Sequence, residues 1–359
     1  MRIFIWAGNF LTHFDPSAIN QGIGGSETAL VSIAEQLGKL SHTVCVGGST
    51  LTTNHHLPGV LFSSDSRICR HPMDVFISWR SKNAIRLNPE LEAVPLKIFW
   101  AQDVSYGPDD DEDFLLYDKI FVLSNFAKKR FLTLYPHVPE SRLFITRNGI
   151  DPSFFHPREK FCALAHEHRI PNFVWASSPN RGLETMLNIW PEIRKMIPSA
   201  RLSVCYGFNP WKSFAQGDPK TLEEIECLTQ RVLHTQGVDP LGMVSKIQLS
   251  DLLSHSAFWI YPTSFEETSC IAAMEAQAAG CWPITTSVGA LPETVEFGTL
   301  VPGGSDVESS ILQSFENCIT LKFDYLLTAW GNQKKFIETH SWESISKEWN
   351  SFLKKNLSF

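Results

Sequence analysis

The chain has 359 residues, 43% hydrophobic and 12% aromatic, a length that exceeds one ordinary domain and predicts two, each with a sizeable core. A formal net charge of −7 speaks against nucleic acid as a partner, and eight cysteines without a CxxC pair read as reduced core residues. No apolar run reaches the roughly 18 residues a membrane span needs, so no transmembrane span is expected, while peripheral membrane contact through a surface helix stays open.

The opening MRIFIWAG lacks the n-region and h-region of a signal peptide and reads as a strand over 3–7, in keeping with a cytoplasmic protein. A polar loop over 9–23 leads into GIGGSETALVSIAEQLGKL. There Gly24 and Gly25 precede Ser26, a good N-cap, and Leu30, Ile33, Leu37 and Leu40 give a helical stripe. Strand, glycine loop and helix form one α/β unit. Its loop suits either a phosphate or simply close helix–strand packing. The spacing is not GxGxxG, and the strand at 43–46 ends in two glycines without the acid that a dinucleotide fold places on the ribose, so NAD is disfavoured. Further apolar runs at 60–62, 74–79, 96–100 and 119–123 alternate with crossovers and predict a parallel, doubly wound sheet. Ligands of such sheets bind beyond the carboxyl ends of the strands, where Gln102-Asp103 and Ser124-Asn125 fall. Asp103 is a candidate for contacting a sugar hydroxyl or assisting a proton transfer, or else it caps a turn. The acidic run at 109–113 reads as a solvated loop and not as a metal site.

RNGIDPSFFHPREK, 147–160, is punctuated by turn signals and marks the boundary. The expected division is 1–155, 156–335 and a C-terminal helix over 336–359. A second α/β series follows, with a strand at 173–176 and a helix whose Leu183, Met186, Leu187, Trp190 and Ile193 share one face. Arg181 lies at the mouth of that strand and helix, where a permanent cation suits a diphosphate. Strands are expected at 201–205 and 282–285, and helices at 221–233, 249–254 and 307–321. A last helix is capped by Ser341 and turns Ile345, Trp349, Phe352 and Leu353 inward.

The most specific stretch is FEETSCIAAMEAQAAG, 265–280, which follows a buried strand and a Pro-Thr-Ser turn. A small-residue helix is predicted to begin near Thr268 or Ser269, and its unpaired N–H groups and dipole could hold a phosphate. Glu267 and Glu275 lie eight residues apart, so both can face one ligand and accept hydrogen bonds from sugar hydroxyls.

Taken in order, MRIFIW, GGSE at 24–27, VLSNFAKKRF, NGID at 148–151, RGLETML, FEETSCIAAMEAQAAG, GALPETV and HSW make the chain resemble glycosyltransferase family 4. The resemblance covers nearly the whole chain. It implies the GT-B fold: two Rossmann-like, doubly wound parallel-sheet domains facing a central cleft, with the nucleotide sugar mainly on the second domain, the acceptor on the first, and the last helix crossing back onto the first. It further implies retaining, metal-independent transfer of a hexose or related sugar from a UDP- or GDP-sugar to a glycan or other hydroxyl acceptor. The nucleotide sugar is then a co-substrate, and no cofactor is required. Carried over by motif, Glu267 holds donor hexose hydroxyls and Glu275 the ribose. Backbone N–H groups of Thr268, Ser269, Cys270 and Ile271 hold sugar or phosphate, Arg181 pairs with the diphosphate, and Gly24-Gly25 allows close approach. The chain departs from the family pattern in two places. Arg181 stands where the family has a lysine, and the family's earlier arginine falls among Trp175, Ala176, Ser177 and Ser178, so diphosphate binding rests on one cation plus hydroxyls such as that of Ser178. Gln102-Asp103 stands where the family often has a histidine. These departures leave a catalytically weak GT-B-like scaffold that binds a nucleotide as the alternative reading, which the intact Glu267/Glu275 pair disfavours.

Overall fold

A computed structural model describes residues 1–8, 10, 13–65, 72–107, 111–156, 171–320 and 324–357. The chain divides into two compact units, Met1–Gly149 with His340–Phe359 and Ile150–Thr339. The first division thus falls at 149, not 155, and the second at 339, not 335.

Unit 1 is built on an eight-stranded sheet in the order β3-β4-β2-β1-β5-β6-β7-β8. The strands are β1 Arg2–Trp6, β2 Thr43–Gly47, β3 His55–Leu57, β4 Val60–Ser63, β5 Val75–Trp79, β6 Leu96–Trp100, β7 Lys119–Val122 and β8 Leu143–Ile145. All pairings are parallel except β3 with β4. The order runs outward from β1 on one side and from β5 on the other, so the direction of winding reverses between these two strands, and their carboxyl ends open a crevice. The runs are almost wholly apolar because both faces of the sheet are covered. Val75–Trp79, for example, is buried at every position.

The Trp342–Asn356 helix covers one face of this sheet. Its Trp349 ring meets Trp100 and Phe121 at 4.8 Å, and its indole Nε1 donates to Thr146 Oγ1 at 2.8 Å. Ser341 caps the helix by accepting from the Ser344 N–H. The glycine-loop helix runs Gly25–Lys39, so Gly24 and not Ser26 is its N-cap. The Glu27 carboxylate lies against Gly24, and the serine falls inside the first turn.

Unit 2 carries two three-stranded parallel sheets, β11-β10-β9 and β12-β13-β14. Here β9 is Asn172–Trp175, β10 Arg201–Cys205, β11 Val238–Gly242, β12 Phe258–Tyr261, β13 Trp282–Thr286 and β14 Thr299–Val301. Because β9 lies beside β12, the six strands again wind outward from a central pair, a second Rossmann-like layer. Trp175, Trp190 and Trp259 are fully buried in its core with Phe173, Phe258 and Phe315. The helical face expected from Leu183 to Ile193 is buried as such in the Leu183–Met196 helix. One helix, Asp324–Thr339, was not anticipated. It carries Gly331 mid-helix, and among the residues whose burial is described Ala329, Trp330, Phe336 and Ile337 form its buried apolar side.

Candidate functional site

In unit 2 the central strands β9 and β12 each deliver one group of a charged cluster at their carboxyl ends. After β9 the chain makes a short turn, Pro179–Arg181, and Gly182 then starts the Leu183–Met196 helix at φ 111°. That left-handed conformation favours glycine, and an added Cβ would lie 2.5 Å from the Pro262 carbonyl oxygen. The close approach brings Arg181 up to the loop that follows β12. There Glu267 Oε1 accepts from Arg181 Nη1 at 3.0 Å and from the Tyr261 hydroxyl at 2.8 Å. The Arg181 guanidinium also lies over the Phe265 ring, 4.1 Å from its centroid.

The loop is held from the other side as well. Ala290 N–H donates to the Glu267 carbonyl at 2.7 Å. Gly289, at φ 62°, comes so near that a Cβ would lie 2.6 Å from Glu267 N. The motifs RGL, FEE and GAL, far apart in sequence, are therefore one construction around Glu267.

Its electrostatics follow from burial. Desolvation works against the Arg181 charge, but Glu267 together with Tyr261, Cys270 and Tyr206 outweighs it and holds the guanidinium above its ordinary range. Burial, reinforced by Glu267, pushes the Tyr261 phenol well up, so it keeps its proton and donates it. Burial likewise raises the Cys270 thiol well above its usual value, which keeps it neutral and a poor nucleophile. Only Nη1 of Arg181 is hydrogen-bonded among the described residues, so the other donors of the fork remain available to a ligand.

The helix beyond the loop is Ile271–Ala278 with Cys270 as N-cap, two or three residues later than the sequence suggested. Thr268, Ser269, Cys270 and Ile271 are all buried, and the first three lead into the helix that Ile271 begins. Glu275 lies in the helix, and its Oε1 is 2.5 Å from Lys246 Nζ, both side chains being largely buried. Glu267 and Glu275 therefore each answer a different cation. Ser178 ends the loop that contains Ser177, whose hydroxyl is 3.1 Å from that of Tyr261.

In unit 1, Asp103 follows β6 and forms a two-pronged ion pair with Arg80, with contacts of 2.7 and 3.1 Å. Arg80 directly follows β5 at φ 63°, a left-handed conformation rare for a non-glycine residue. Glu27, in the first turn behind Gly24 and Gly25, lies 3.7 Å from the same guanidinium. Burial raises the Glu27 carboxyl, opposed by Arg80. Beside them Gln102 exchanges amide hydrogen bonds with the buried Asn148 of the NGID motif, at 3.2 and 3.3 Å. Asp103 is thus a paired residue rather than a free turn cap. Within the acidic run, residues 109 and 110 lie outside the described part, and Asp113 is paired with Arg86.

Sequence reasoning passed over Tyr261, Lys246, Arg80 and Glu27. Lys246 had a detectable signal, since Ser245 and Gln248 form a capping box that marks the helix start beside it. Arg80 could have been found as the residue following a strand at the reversal of winding. Among the described residues, no group of three His, Cys, Asp or Glu side chains could hold a metal, and no helix is long and apolar enough to cross a membrane.

Residues 171–317 match the family model described as Glycosyl transferases group 1. The matched segment contains Arg181, Lys246, Glu267 and Glu275. Alpha-maltose-1-phosphate synthase of Mycolicibacterium smegmatis is 20% identical over 309 residues, 81% of this chain and 71% of that protein. Among solved structures, a sucrose-phosphate synthase from Thermosynechococcus elongatus superposes with a TM-score of 0.74 at 15% identity, over 99% of this chain and 98% of that one. HepE from Anabaena, in complex with UDP-glucose, superposes with a TM-score of 0.70 at 13% identity, over 99% of this chain and all of the other. The fold is therefore GT-B, and the chain is a transferase carrying a glycosyltransferase domain in unit 2.

Proposed function

We propose that this chain is a retaining glycosyltransferase of the family 4 type, moving a hexose or related sugar from a UDP- or GDP-sugar to a hydroxyl acceptor. The observation that carries the reading is the Arg181–Glu267–Tyr261 cluster at the reversal of winding in unit 2, inside the matched segment. Breaking a glycosyl–phosphate bond builds negative charge on the departing diphosphate and positive charge on the sugar ring. The open donors of Arg181 and the N–H groups at the start of the Ile271–Ala278 helix would meet the first. Glu267 would accept hydrogen bonds from the hexose hydroxyls and stabilise the second. Glu275 would take the ribose, its carboxylate held in place by Lys246. The acceptor oxygen bonds to the anomeric carbon as the bond to phosphate breaks, and the acceptor proton passes to the leaving diphosphate. The UDP-glucose bound by HepE, a protein of the same fold, favours a uridine nucleotide. We place the reaction in the cytoplasm, where nucleotide sugars are made, and assign it no metal.

The test is a screen of UDP, GDP, ADP and NAD by thermal shift, followed by donor hydrolysis with the matching nucleotide sugars. UDP or GDP should stabilise the protein, hydrolysis should persist in EDTA, and Glu267→Ala should abolish most of it. Stabilisation by NAD alone, or full activity in Glu267→Ala, would sink the assignment.

A further inference from the structure

Unit 1 holds a cavity of about 590 Å³ at the carboxyl ends of β5 and β6. Its walls include Phe10, Arg80, Lys82, Arg86, Asp103 and Asp113. Four of the five charged groups are matched. Arg80 is bound to Asp103 at 2.7 Å, and Arg86 lies 2.7 Å from Asp113. The fifth, the Lys82 ammonium, is shielded from solvent and has no hydrogen-bond partner among the described residues. A desolvated, unmatched ammonium is costly, and side chains with a better alternative rotate away from such a place. The neighbouring backbone is also held under strain, since Arg80 sits at φ 63°. Lys82 therefore brings an ammonium without a hydrogen-bond partner among the described residues, on a flexible stem, to the place where doubly wound sheets bind ligands.

We propose that this cavity binds the hydroxyl-bearing acceptor and that Lys82 holds an oxyanion, a phosphate or a carboxylate, carried by it. The acceptor part of this assignment rests on the transferase reading above. The anion part rests on unit 1 alone. A cationic ligand is disfavoured because both carboxylates of the wall are already neutralised by arginines. A neutral ligand would leave the Lys82 charge unmatched.

Affinities of the full chain for glucose 6-phosphate, glucuronate and glucose, measured by titration calorimetry in saturating UDP, test the inference. The UDP occupies the diphosphate-binding groups of unit 2, so the signal reports unit 1. The phosphate or the carboxylate compound should bind at least roughly tenfold more tightly than glucose, and which one does identifies the oxyanion. Lys82→Met, which keeps the apolar stem, should remove that preference, and Lys82→Arg should retain it. An unchanged UDP response in Lys82→Met shows that the variant is folded. Equal affinity for the three compounds, no binding of any of them, or a preference that survives Lys82→Met overturns the inference and leaves the transferase reading standing. Absence of any UDP response in the unmodified chain sinks that reading instead, and the comparison with Lys82→Met still decides the role of Lys82.

Discussion

Glu267 sits between two donors of different kinds, a guanidinium and a phenol, and its remaining lone pairs can accept from a ligand. Glu267→Gln keeps the shape and removes the charge. Donor cleavage should fall roughly 100-fold in a hydrolysis assay, as for loss of one preorganised electrostatic contact. The same change leaves Arg181 without its carboxylate. Since the Arg181 side chain is 35% exposed, the destabilisation should stay near 1–2 kcal/mol in chemical denaturation, below that of a fully buried pair. Glu27 gives a pH dependence of definite sign. Its carboxyl is raised from 4.5 in the folded protein, so the folded state binds the proton more tightly than the unfolded state. Its contribution to stability is full below 4.5 and is lost as pH rises through the folded value. Glu27→Gln should therefore lose less stability than the unmodified chain between pH 4 and pH 8, measured as denaturation midpoints, and parallel curves would contradict this. Glu267 and Glu275 were singled out in the sequence by their eight-residue spacing, and Arg181 by its place at the mouth of a strand and a helix. Tyr261, Lys246 and Arg80 were not, because their importance comes from partners 6 to 29 residues away that meet only through strand order.

Among the elements, the loop after β12 is fixed from outside more than from within. Gly289 and Gly182 are the two points where other backbone presses against it. Gly289→Ala combines a strained φ with a collision against Glu267, and it should cost roughly 1–3 kcal/mol in stability while lowering donor cleavage, measured on the same sample. If activity is lost without loss of stability, the glycine acts on the loop's position alone. The sequence misplaced two helix starts. The glycine-loop helix starts at Gly25, one residue before Ser26, with Gly24 as N-cap. The 265–280 helix began late because Thr268, Ser269 and Cys270 are drawn into the core as an irregular segment, which no periodicity announces. The strands were read more securely, since runs buried on both faces, such as Phe258–Tyr261, are apolar at every position.

At the scale of the molecule, the sheets of unit 1 and unit 2 have separate cores, so unfolding should not be a single two-state transition. Trp349→Ala should destabilise unit 1 by about 3–5 kcal/mol, as expected for a buried tryptophan that also gives up a hydrogen bond to Thr146. Calorimetry should show one transition lowered, while a nucleotide raises the other. One transition moving under both treatments would mean that the units melt together. The two-unit plan was visible in the turn-rich segment after Arg147, and the return of the last helix to the first unit was expected from the family resemblance, while the residues it meets there, Trp100 and Phe121 some two hundred residues earlier, are displayed by the fold.

That return has a consequence for how the protein is made. Trp100, Phe121 and Phe144 leave the ribosome long before the Trp342–Asn356 helix that covers them. At 5–20 residues per second the delay is on the order of 10–40 s, during which unit 2 can complete its own core while unit 1 shows an uncovered aromatic face. The usual order, first domain folded first, is reversed here. The nascent chain is therefore expected to engage hydrophobe-binding chaperones through 96–145 and to release them only after residue 356 has emerged.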